Sequence, residues 1–172
     1  NFFDIVEYLN SGDLLVWNNS KVFKARLLGK LLTQNNQGLW EHKRDVEIFL
    51  VRPMENDGVW QVLGKPGKHI EPGTRVEIAK DFFCDVMIKE PTGTILVQFF
   101  SSENISLQEE AVRESANRYG HIPIPPYVKD EPHEVELYQT VYSKHEGSVA
   151  APTAGFHFTN EVIENLKQKG VD

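Results

Sequence analysis

Short stretches in which apolar and polar residues alternate follow one another between Asp13 and Phe100. They are rich in branched and aromatic side chains, as β-strands are, and turn residues such as Gly, Asn and Pro separate them. Six or seven short strands at this spacing suggest an antiparallel barrel or sandwich. Closing them into a circuit leaves no exposed edge, so we predict a six- to seven-stranded antiparallel β-barrel. The predicted strands are Leu14 to Trp17, Lys24 to Leu32, Asp45 to Val51, Val59 to Leu63, Arg75 to Ala79, Cys84 to Lys89 and Thr94 to Phe100.

The alternation also assigns the strand residues to the two faces of the barrel, because alternate side chains on a strand share a face. The residues predicted to face inward are Ala25, Leu27, Leu31, Val46, Ile48, Leu50, Val76, Ile78, Ile95, Val97 and Phe99. Cys84 alternates with Val86 and Ile88, so we expect an inert core thiol rather than a reactive one.

Helical spacing replaces the alternation on both sides of this region. We predict a helix over residues 2–10 that ends at Ser11 and Gly12, a helix that the capping box Ser106 to Glu109 opens and that ends near Gly120, and a last helix that Thr159 caps and Gly170 ends. The prolines of Ile122 to Val128 predict a rigid, extended connector.

Composition narrows the class of protein. At 172 residues and 40% hydrophobic content, the chain can bury one sizeable core, with or without a smaller second lobe. No apolar run approaches the roughly 20 residues that a bilayer requires, so we expect a soluble, cytoplasmic protein without a membrane partner. A single cysteine excludes an intramolecular disulfide, and the histidines never fall at i, i+4 on an evident helix, so we predict no metal site.

The formal net charge of −7 argues against a general nucleic-acid binder, whose domain usually has a broad basic surface. Any contact with RNA must then be local. Lys24, Arg26 and Lys30 share the outward face of one predicted strand and can contact a few phosphates, although a solvated strand face has the same pattern. The basic turn Gly64 to His69 lacks the spacing of a phosphate-binding loop, and we interpret it as a hairpin.

The segment before the last predicted helix, Ser148 to Thr159, reads SVAAPTAGFHFT. Its small residues let backbone amides approach a ligand, and a helix N-terminus attracts carboxylate, ribose hydroxyl or phosphate groups. A tight structural turn has the same composition, so both interpretations stay open. His157 is its only imidazole, and a histidine between two phenylalanines is either a catalyst or a satisfied core residue.

Just upstream, Glu136 to Tyr142 contains a carboxylate, two phenols and an amide without an amphipathic pattern. Aromatic rings with nearby amides suit the stacking and edge recognition of a purine or adenosyl group. Packing of both tyrosines at a domain boundary is the alternative.

Three segments together resemble the S-adenosylmethionine:tRNA ribosyltransferase-isomerase family in sequence, order and spacing. They are GDLLVWNNSKVFKARLLGK (Gly12 to Lys30), GHIPIPPYV (Gly120 to Val128) and YQTVYSKHEGSVAAPTAGFHFT (Tyr138 to Thr159). The resemblance implies a β-rich α+β fold, in which the barrel is inserted into an α/β domain formed by sequence on both sides. On this basis residues 13–103 form the barrel, and residues 1–12 and 104–172 are parts of an α/β domain truncated at both ends.

The resemblance also implies an activity, which belongs to queuosine biosynthesis. Members of this family move the ribosyl part of S-adenosylmethionine to 7-aminomethyl-7-deazaguanine at the tRNA wobble position, forming epoxyqueuosine and releasing adenine and methionine. S-adenosylmethionine is then a cosubstrate, no cofactor is expected, and that tRNA is the partner of a monomeric enzyme. The alternative is a noncatalytic RNA-binding barrel or an inactive, diverged member. The isolated chain should be inactive, because the family's active site draws on sequence beyond both ends.

Such chemistry needs a base, an acid and aromatic side chains that contact the sulfonium, and all of them must lie near the bound nucleotide. The residues expected to take part are His157, Tyr138 and Tyr142 in catalysis; Asn18, Arg26, Gln139, Thr140, Ala151, Pro152, Thr153 and Gly155 in substrate binding; and Lys24, Arg26 and Lys30 in RNA binding. Three positions depart from the family: Asn19 replaces a frequent Asp, Lys21 a frequent Arg, and Leu137 an Arg that commonly precedes the Tyr-Gln pair.

Overall fold

A computed structural model of the chain describes residues 1–124 and 135–172. The described residues divide into two compact units, residues 23–124 and residues 1–22 with 135–172. Sequence on both sides of the first unit therefore builds the second, which is the order expected for an inserted barrel. The predicted boundaries at residues 13 and 103 stay a prediction. The predicted connector Ile122 to Val128 lies outside the described residues from position 125 onward.

The first unit is a closed antiparallel barrel, which confirms the predicted β-rich α+β fold. The strands of the described chain are β1 Ser20–Val22, β2 Arg26–Gln34, β3 Trp40–Pro53, β4 Val59–Lys65, β5 Arg75–Ala79, β6 Phe82–Lys89, β7 Ile95–Phe100 and β8 His145–Ser148. Six of them, β2 to β7, close the barrel in the order β2-β3-β4-β7-β6-β5. The short pairing of β5 with β2, through residues 75–77 and 30–32, completes the circuit.

The interior of the barrel follows the predicted alternation. Every residue predicted to face inward is buried except Ile78, which is half-buried. The register of β5 against β6 shifts between Glu77 and Ala79, and such a bulge turns the intervening side chain away from the regular alternation. Cys84 is fully buried, and desolvation raises the pKa of its thiol well above the ordinary value, so an inert core thiol is confirmed.

A helix closes one end of the barrel. This helix, α2, spans Glu109–Tyr119 and buries Val112 and Ala116. The ring of Tyr119 stacks on Phe82 with centroids 6.4 Å apart. The helix ends at Gly120 as predicted, and its backbone approaches the Lys24 carbonyl so closely that a Cβ at Gly120 would overlap it.

The predicted capping box at the start of α2 is wrong. The helix begins at Glu109, and Gln108 takes the N-cap position without a side-chain hydrogen bond. The Ser106 hydroxyl instead accepts a hydrogen bond from Gln98 Nε2 at 2.5 Å and donates one to the Asp57 carbonyl at 3.2 Å. Because these longer-range contacts occupy the hydroxyl, it cannot cap the helix.

The connection from β4 to β5 covers the opposite end of the barrel. Gly67–His69 forms a 3₁₀ turn in it, and Ile70 is fully buried. The Lys89 ammonium donates to the Gly67 carbonyl at 2.9 Å. The hairpin predicted for Gly64 to His69 is therefore wrong, because β4 and β5 are not neighbours in the barrel.

The second unit consists of short elements around a small apolar core. Its helices are α1 Ile5–Tyr8, which follows a 3₁₀ turn at Phe2–Asp4, and α3 Asn160–Gln168. Its two strands, β1 and β8, pair in parallel. Thr159 Oγ1 accepts a hydrogen bond from Val162 N at 3.2 Å, which confirms the predicted cap of α3, and Gly170 follows the helix with φ +84°. The buried centre consists of Val162, Leu166 and Val171.

The predicted strand Leu14 to Trp17 is wrong, since no strand is formed there in the described chain. The segment runs in irregular backbone, and the Leu15 amide donates to the Asp172 carbonyl at 2.6 Å. Leu14 and Val16 remain 74% and 81% exposed. Within the described ranges, no helix has both the length and the apolar content that a membrane span requires.

Candidate functional site

Two of the predicted segments meet inside the second unit. Residues Val135–Tyr138 form a 3₁₀ turn that leads into Tyr142, and Thr153–His157 forms another that leads into α3. The rings of Tyr138 and Phe156 meet edge to face with centroids 5.5 Å apart. The structure therefore brings the predicted phenols and the predicted small-residue turn together.

The closest approach between the two segments is at Gly155. A Cβ there would overlap the Tyr142 hydroxyl oxygen and lie 2.7 Å from Thr140 Cγ2. Non-bonded heavy atoms do not come that close, so any larger residue at this position displaces the tyrosine or the threonine. Glycine is therefore required at position 155 because no side chain fits there, and its small size allows the Tyr142 hydroxyl to lie directly on the turn.

Thr140 lies at the same contact and has an unusual environment. Its side chain is only 6% exposed, and its hydroxyl has no hydrogen-bond partner among the described residues. Its carbonyl, in contrast, accepts from Ser143 N at 3.2 Å and Ser143 Oγ at 3.0 Å. Buried hydroxyls are nearly always hydrogen-bonded, so this unpaired one is a candidate ligand contact.

The side-chain amide of Gln139 is engaged by the protein. Its Oε1 accepts from Val22 N at 2.9 Å and its Nε2 donates to Val22 O at 2.7 Å. Both hydrogen bonds are to one residue of β1, as a neighbouring strand would form. Gln139 therefore holds β1 beside the tyrosine segment, and its predicted contact with substrate stays a prediction.

Trp17 belongs to this site but was not among the predicted residues. Its ring stacks on Tyr142 with centroids 4.7 Å apart and planes at 19°, and Phe158 meets both rings edge-on at 5.7 and 6.0 Å. Trp17 is 36% exposed, so part of its surface remains accessible. The sequence signal that could have identified Trp17 was its position directly before Asn18 and Asn19. The interpretation of Leu14 to Trp17 as a strand did not take that signal into account.

His157 lies at the surface, so the alternative of a buried core histidine is wrong. Its ring stacks on Phe2 with centroids 5.2 Å apart. The amides near it are used within the turn: Thr153 N donates to Ala151 O at 2.9 Å, and Gly155 N donates to Pro152 O at 2.7 Å. These two amides are not directed at a ligand, which leaves side chains as the main candidates for binding.

The remaining predicted positions of the second unit have simpler environments. Asn18 Oδ1 accepts from Ser20 N at 2.8 Å and so shapes the local turn. Ala151 and Pro152 are half-buried, and Thr153 is exposed. Among the departures from the family pattern, Asn19 and Leu137 are exposed and Lys21 is half-buried.

The three cations predicted to bind RNA lie in the barrel unit, and two of them face carboxylates. Arg26 Nε donates to Glu47 Oε2 at 2.9 Å. Lys30 stands opposite Asp45 on β3 and opposite Glu77 on β5. Lys24 precedes β2. This strand face is therefore mixed in charge, and an open groove of about 580 Å³ beside it includes Asp45, Glu47 and Glu77 in its lining.

Two further features bear on the chemistry. In the described ranges no three His, Cys, Asp or Glu side chains come together as a metal site would require. A cavity of about 350 Å³ in the second unit, between Trp17 and the α3 residues Ile163 and Leu166, is predominantly apolar and is lined by none of the residues predicted to bind substrate. Among the site residues, only Trp17 contributes to it.

Comparison with known proteins gives the chain its family. Relatives from Hydrogenobaculum sp. (strain Y04AAS1) and Clostridioides difficile (strain 630), both named S-adenosylmethionine:tRNA ribosyltransferase-isomerase, are 42% and 40% identical to it. The alignments cover 98% and 99% of this chain but only 45% and 46% of the relatives, so the chain spans about half of their length.

A crystal structure of S-adenosylmethionine tRNA ribosyltransferase from Thermotoga maritima is 27% identical, with 99% of this chain and 41% of that chain covered and a TM-score of 0.40. The model of one family, described as queuosine biosynthesis protein, matches residues 1–172. Since that match extends over the whole chain, the chain belongs to the queuosine biosynthesis protein family.

Proposed function

We propose that this chain is part of an enzyme that transfers the ribosyl group of S-adenosylmethionine to a tRNA. The acceptor is 7-aminomethyl-7-deazaguanine at the wobble position, the product is epoxyqueuosine, and adenine and methionine are released. The observation that carries the proposal is the family match over residues 1–172. Relatives with the corresponding name align along nearly the whole chain.

The cluster of Trp17, Thr140, Tyr142 and Gly155 supports a role for the second unit in binding the donor. The stacked Trp17 and Tyr142 rings offer an aromatic surface of the kind that attracts a sulfonium or stacks on adenine. The buried, unpaired Thr140 hydroxyl can accept or donate one hydrogen bond to a polar group of the adenosyl moiety. Together they supply a flat apolar contact and a directed polar one, the usual combination in small-molecule sites.

Acid–base chemistry in this proposal belongs to His157 and the tyrosines. The reaction needs a base that removes the proton next to the sulfonium and an acid that assists the departure of adenine. His157 is exposed and held by the Phe2 ring, so its imidazole is accessible to a substrate. The Tyr142 hydroxyl, placed on Gly155, is the second candidate.

The test is release of free adenine from S-adenosylmethionine by the full-length protein, with and without tRNA that carries 7-aminomethyl-7-deazaguanine. An enzyme of this kind releases adenine only when the modified tRNA is present. A noncatalytic RNA-binding barrel or an inactive family member releases none, and that result would reject the proposal. His157→Ala should lower the rate at least about 100-fold if the imidazole acts as acid or base, and an undiminished rate removes it from the catalytic residues.

A further inference from the structure

Aromatic rings of the second unit form a continuous chain of contacts that includes His157. Trp17 stacks on Tyr142, and Phe158 meets both rings edge-on. Phe2 meets Phe158 edge to face, with centroids 4.8 Å apart and planes at 78°, and stacks on the His157 imidazole at 5.2 Å and 29°. Phe2 is therefore the ring through which the imidazole is connected to Trp17 and Tyr142.

Phe2 is itself held by the packing of the N-terminal segment. It lies in the 3₁₀ turn Phe2–Asp4 and packs, half-buried, against the small core of the second unit. The following helix, α1, is tied to the end of α3, because the Lys169 ammonium donates to the Val6 carbonyl at 2.7 Å. A ring packed in this way keeps its place and offers a fixed surface to the group that stacks on it.

The imidazole of His157 depends on such a surface for its orientation. The turn Thr153–His157 fixes the backbone, but the side chain is exposed, and an exposed imidazole rotates about its χ1 and χ2 bonds. A nearly parallel ring at 5.2 Å favours one orientation, because offset-stacked rings attract each other. The stack on Phe2 therefore selects the orientation of the imidazole.

This orientation matters for acid–base chemistry, because a proton moves only between atoms within hydrogen-bonding reach. The stacked rings of Trp17 and Tyr142 form the proposed donor surface. Contacts through Phe158 and Phe2 set the place of the imidazole relative to that surface. A misplacement of reacting groups by about 1 Å lowers a rate by on the order of 100-fold, so a ring that prevents such a displacement contributes to the rate.

We propose that Phe2 is a positioning residue, which holds the His157 imidazole in the orientation in which it acts as acid or base on the donor. The inference rests on the proposed function and adds a residue to it. Phe2 acts through the imidazole and not by contact with the substrate. Its effect on the reaction therefore exists only while His157 is present.

The experiment measures adenine release by the full-length protein from S-adenosylmethionine and the modified tRNA. Phe2→Leu keeps an apolar side chain against the core but removes the planar ring, so kcat should fall about tenfold while KM for the donor changes less than about twofold. Phe2→Tyr retains the ring and should stay within about threefold of the unaltered protein. Adding Phe2→Leu to His157→Ala should change kcat less than about twofold further, because the positioned group is then absent.

Two control variants separate positioning from packing. Phe3 lies in the same turn but is 50% exposed, and Phe3→Leu should change kcat less than about twofold. Ile5→Ala shortens an aliphatic side chain that packs against the same core, so it should lower the melting temperature. Its kcat, assayed well below that temperature, should stay within about twofold. A fall as large as that of Phe2→Leu would show a general effect of packing and overturn the inference.

Nuclear magnetic resonance tests the stack independently of activity. The ring current of Phe2 should shift the carbon-bound imidazole protons of His157 upfield, and the loss of their signals in His157→Ala assigns them. The shift should disappear in Phe2→Leu and persist in Phe2→Tyr. Unchanged His157 signals in Phe2→Leu would show that the rings do not stack and would overturn the inference.

The kinetic outcomes separate this inference from the proposed function. If His157→Ala lowers the rate but Phe2→Leu does not, Phe2 is not a positioning residue and the proposed function stands. If Phe2→Leu lowers kcat by the same factor with and without His157, the residue acts on stability alone, and the inference is rejected. If the unaltered protein releases no adenine, the proposed function fails and the inference fails with it.

Discussion

The barrel and the second unit differ in how completely each buries its own apolar side chains. In the barrel, six strands close on themselves around a core that includes Trp60, Phe82 and Phe99, all at most 1% exposed. Among its described residues, the second unit has one two-stranded sheet and a small core, and Tyr8 and Val16 remain about four-fifths exposed, at 80% and 81%. The candidate donor site lies in this less completely buried unit, where single contacts rather than a large core hold the side chains in place.

The largest expected effect concerns the barrel core. Ile48→Ala should reduce the free energy of unfolding by about 2–5 kcal/mol, because it removes a fully buried side chain and leaves a cavity. Ile88, on β6 of the same barrel, is 51% exposed, and Ile88→Ala should cost less than about 1 kcal/mol. Urea denaturation of both variants measures the difference, and equal losses would contradict a barrel stabilised by its interior.

The next effect concerns the steric contact in the second unit. Gly155→Ala should destabilise the protein by about 1–3 kcal/mol, because the new methyl group overlaps the Tyr142 hydroxyl. Adding Tyr142→Phe removes that hydroxyl and should recover part of the loss. A double-mutant cycle from thermal unfolding measures the coupling. Strict additivity of the two substitutions would show that the contact is absent.

Gln139→Ala should cost about 1–2 kcal/mol, because it deletes two hydrogen bonds and leaves the amide and carbonyl of Val22 unpaired by this side chain. Gln168 supplies a matched control, since its exposed amide donates to Glu164 within the same helix, α3. Gln168→Ala should stay within about 0.5 kcal/mol of the unaltered protein. Hydrogen exchange of the Val22 backbone amide should accelerate only in Gln139→Ala. Unchanged exchange would contradict the role of Gln139 in holding β1 in place.

The smallest of these effects concerns the start of α3. Thr159→Ala removes the hydroxyl that accepts from Val162 N and should cost about 1 kcal/mol. Thr159→Ser retains that acceptor and should be nearly neutral. Thermal denaturation compares the two, and equal destabilisation would mean that packing of the methyl group, rather than capping, stabilises the helix.

Local pattern predicts the barrel well because its strands satisfy two conditions at once. Alternation in β3 and β7 places Val46, Ile48, Leu50, Ile95 and Val97 on the inside, and closure of the sheet supplies every strand with partners. Leu14 to Trp17 has an equally good strand pattern but no ladder in the described chain. Alternation indicates which side chains prefer burial, but it does not indicate whether another strand is available to form backbone hydrogen bonds with the segment.

Errors of the same kind affected two connections. Ser106 has the sequence of a helix cap, yet Gln98 and Asp57, which are distant in sequence, compete for its hydroxyl. Gly64 to His69 has the composition of a hairpin turn, but the strand order places β7 and β6 between β4 and β5. Both outcomes depend on long-range neighbours, which a local reading of the chain does not contain.

The candidate site was predicted at the level of segments and only in part at the level of residues. Tyr142 and Gly155 meet as the two segments suggested, because both lie in one unit. Arg26, predicted to bind the same substrate, lies in the other unit and pairs with Glu47. Trp17 was missed, and the hydrogen bond that Gln139 accepts from Val22 was not predicted, since a partner 117 residues away is not visible in local sequence.

The most direct test of the account is adenine release by Thr140→Val in the full-length protein, assayed with S-adenosylmethionine and tRNA that carries 7-aminomethyl-7-deazaguanine. The substitution preserves shape and removes a buried, unpaired hydroxyl, so the melting temperature should hold or rise while kcat/KM falls about tenfold or more, as expected for a lost ligand hydrogen bond. Thr140→Ser should retain most of the activity. Undiminished kcat/KM in Thr140→Val would contradict the placement of the adenosyl donor at this cluster.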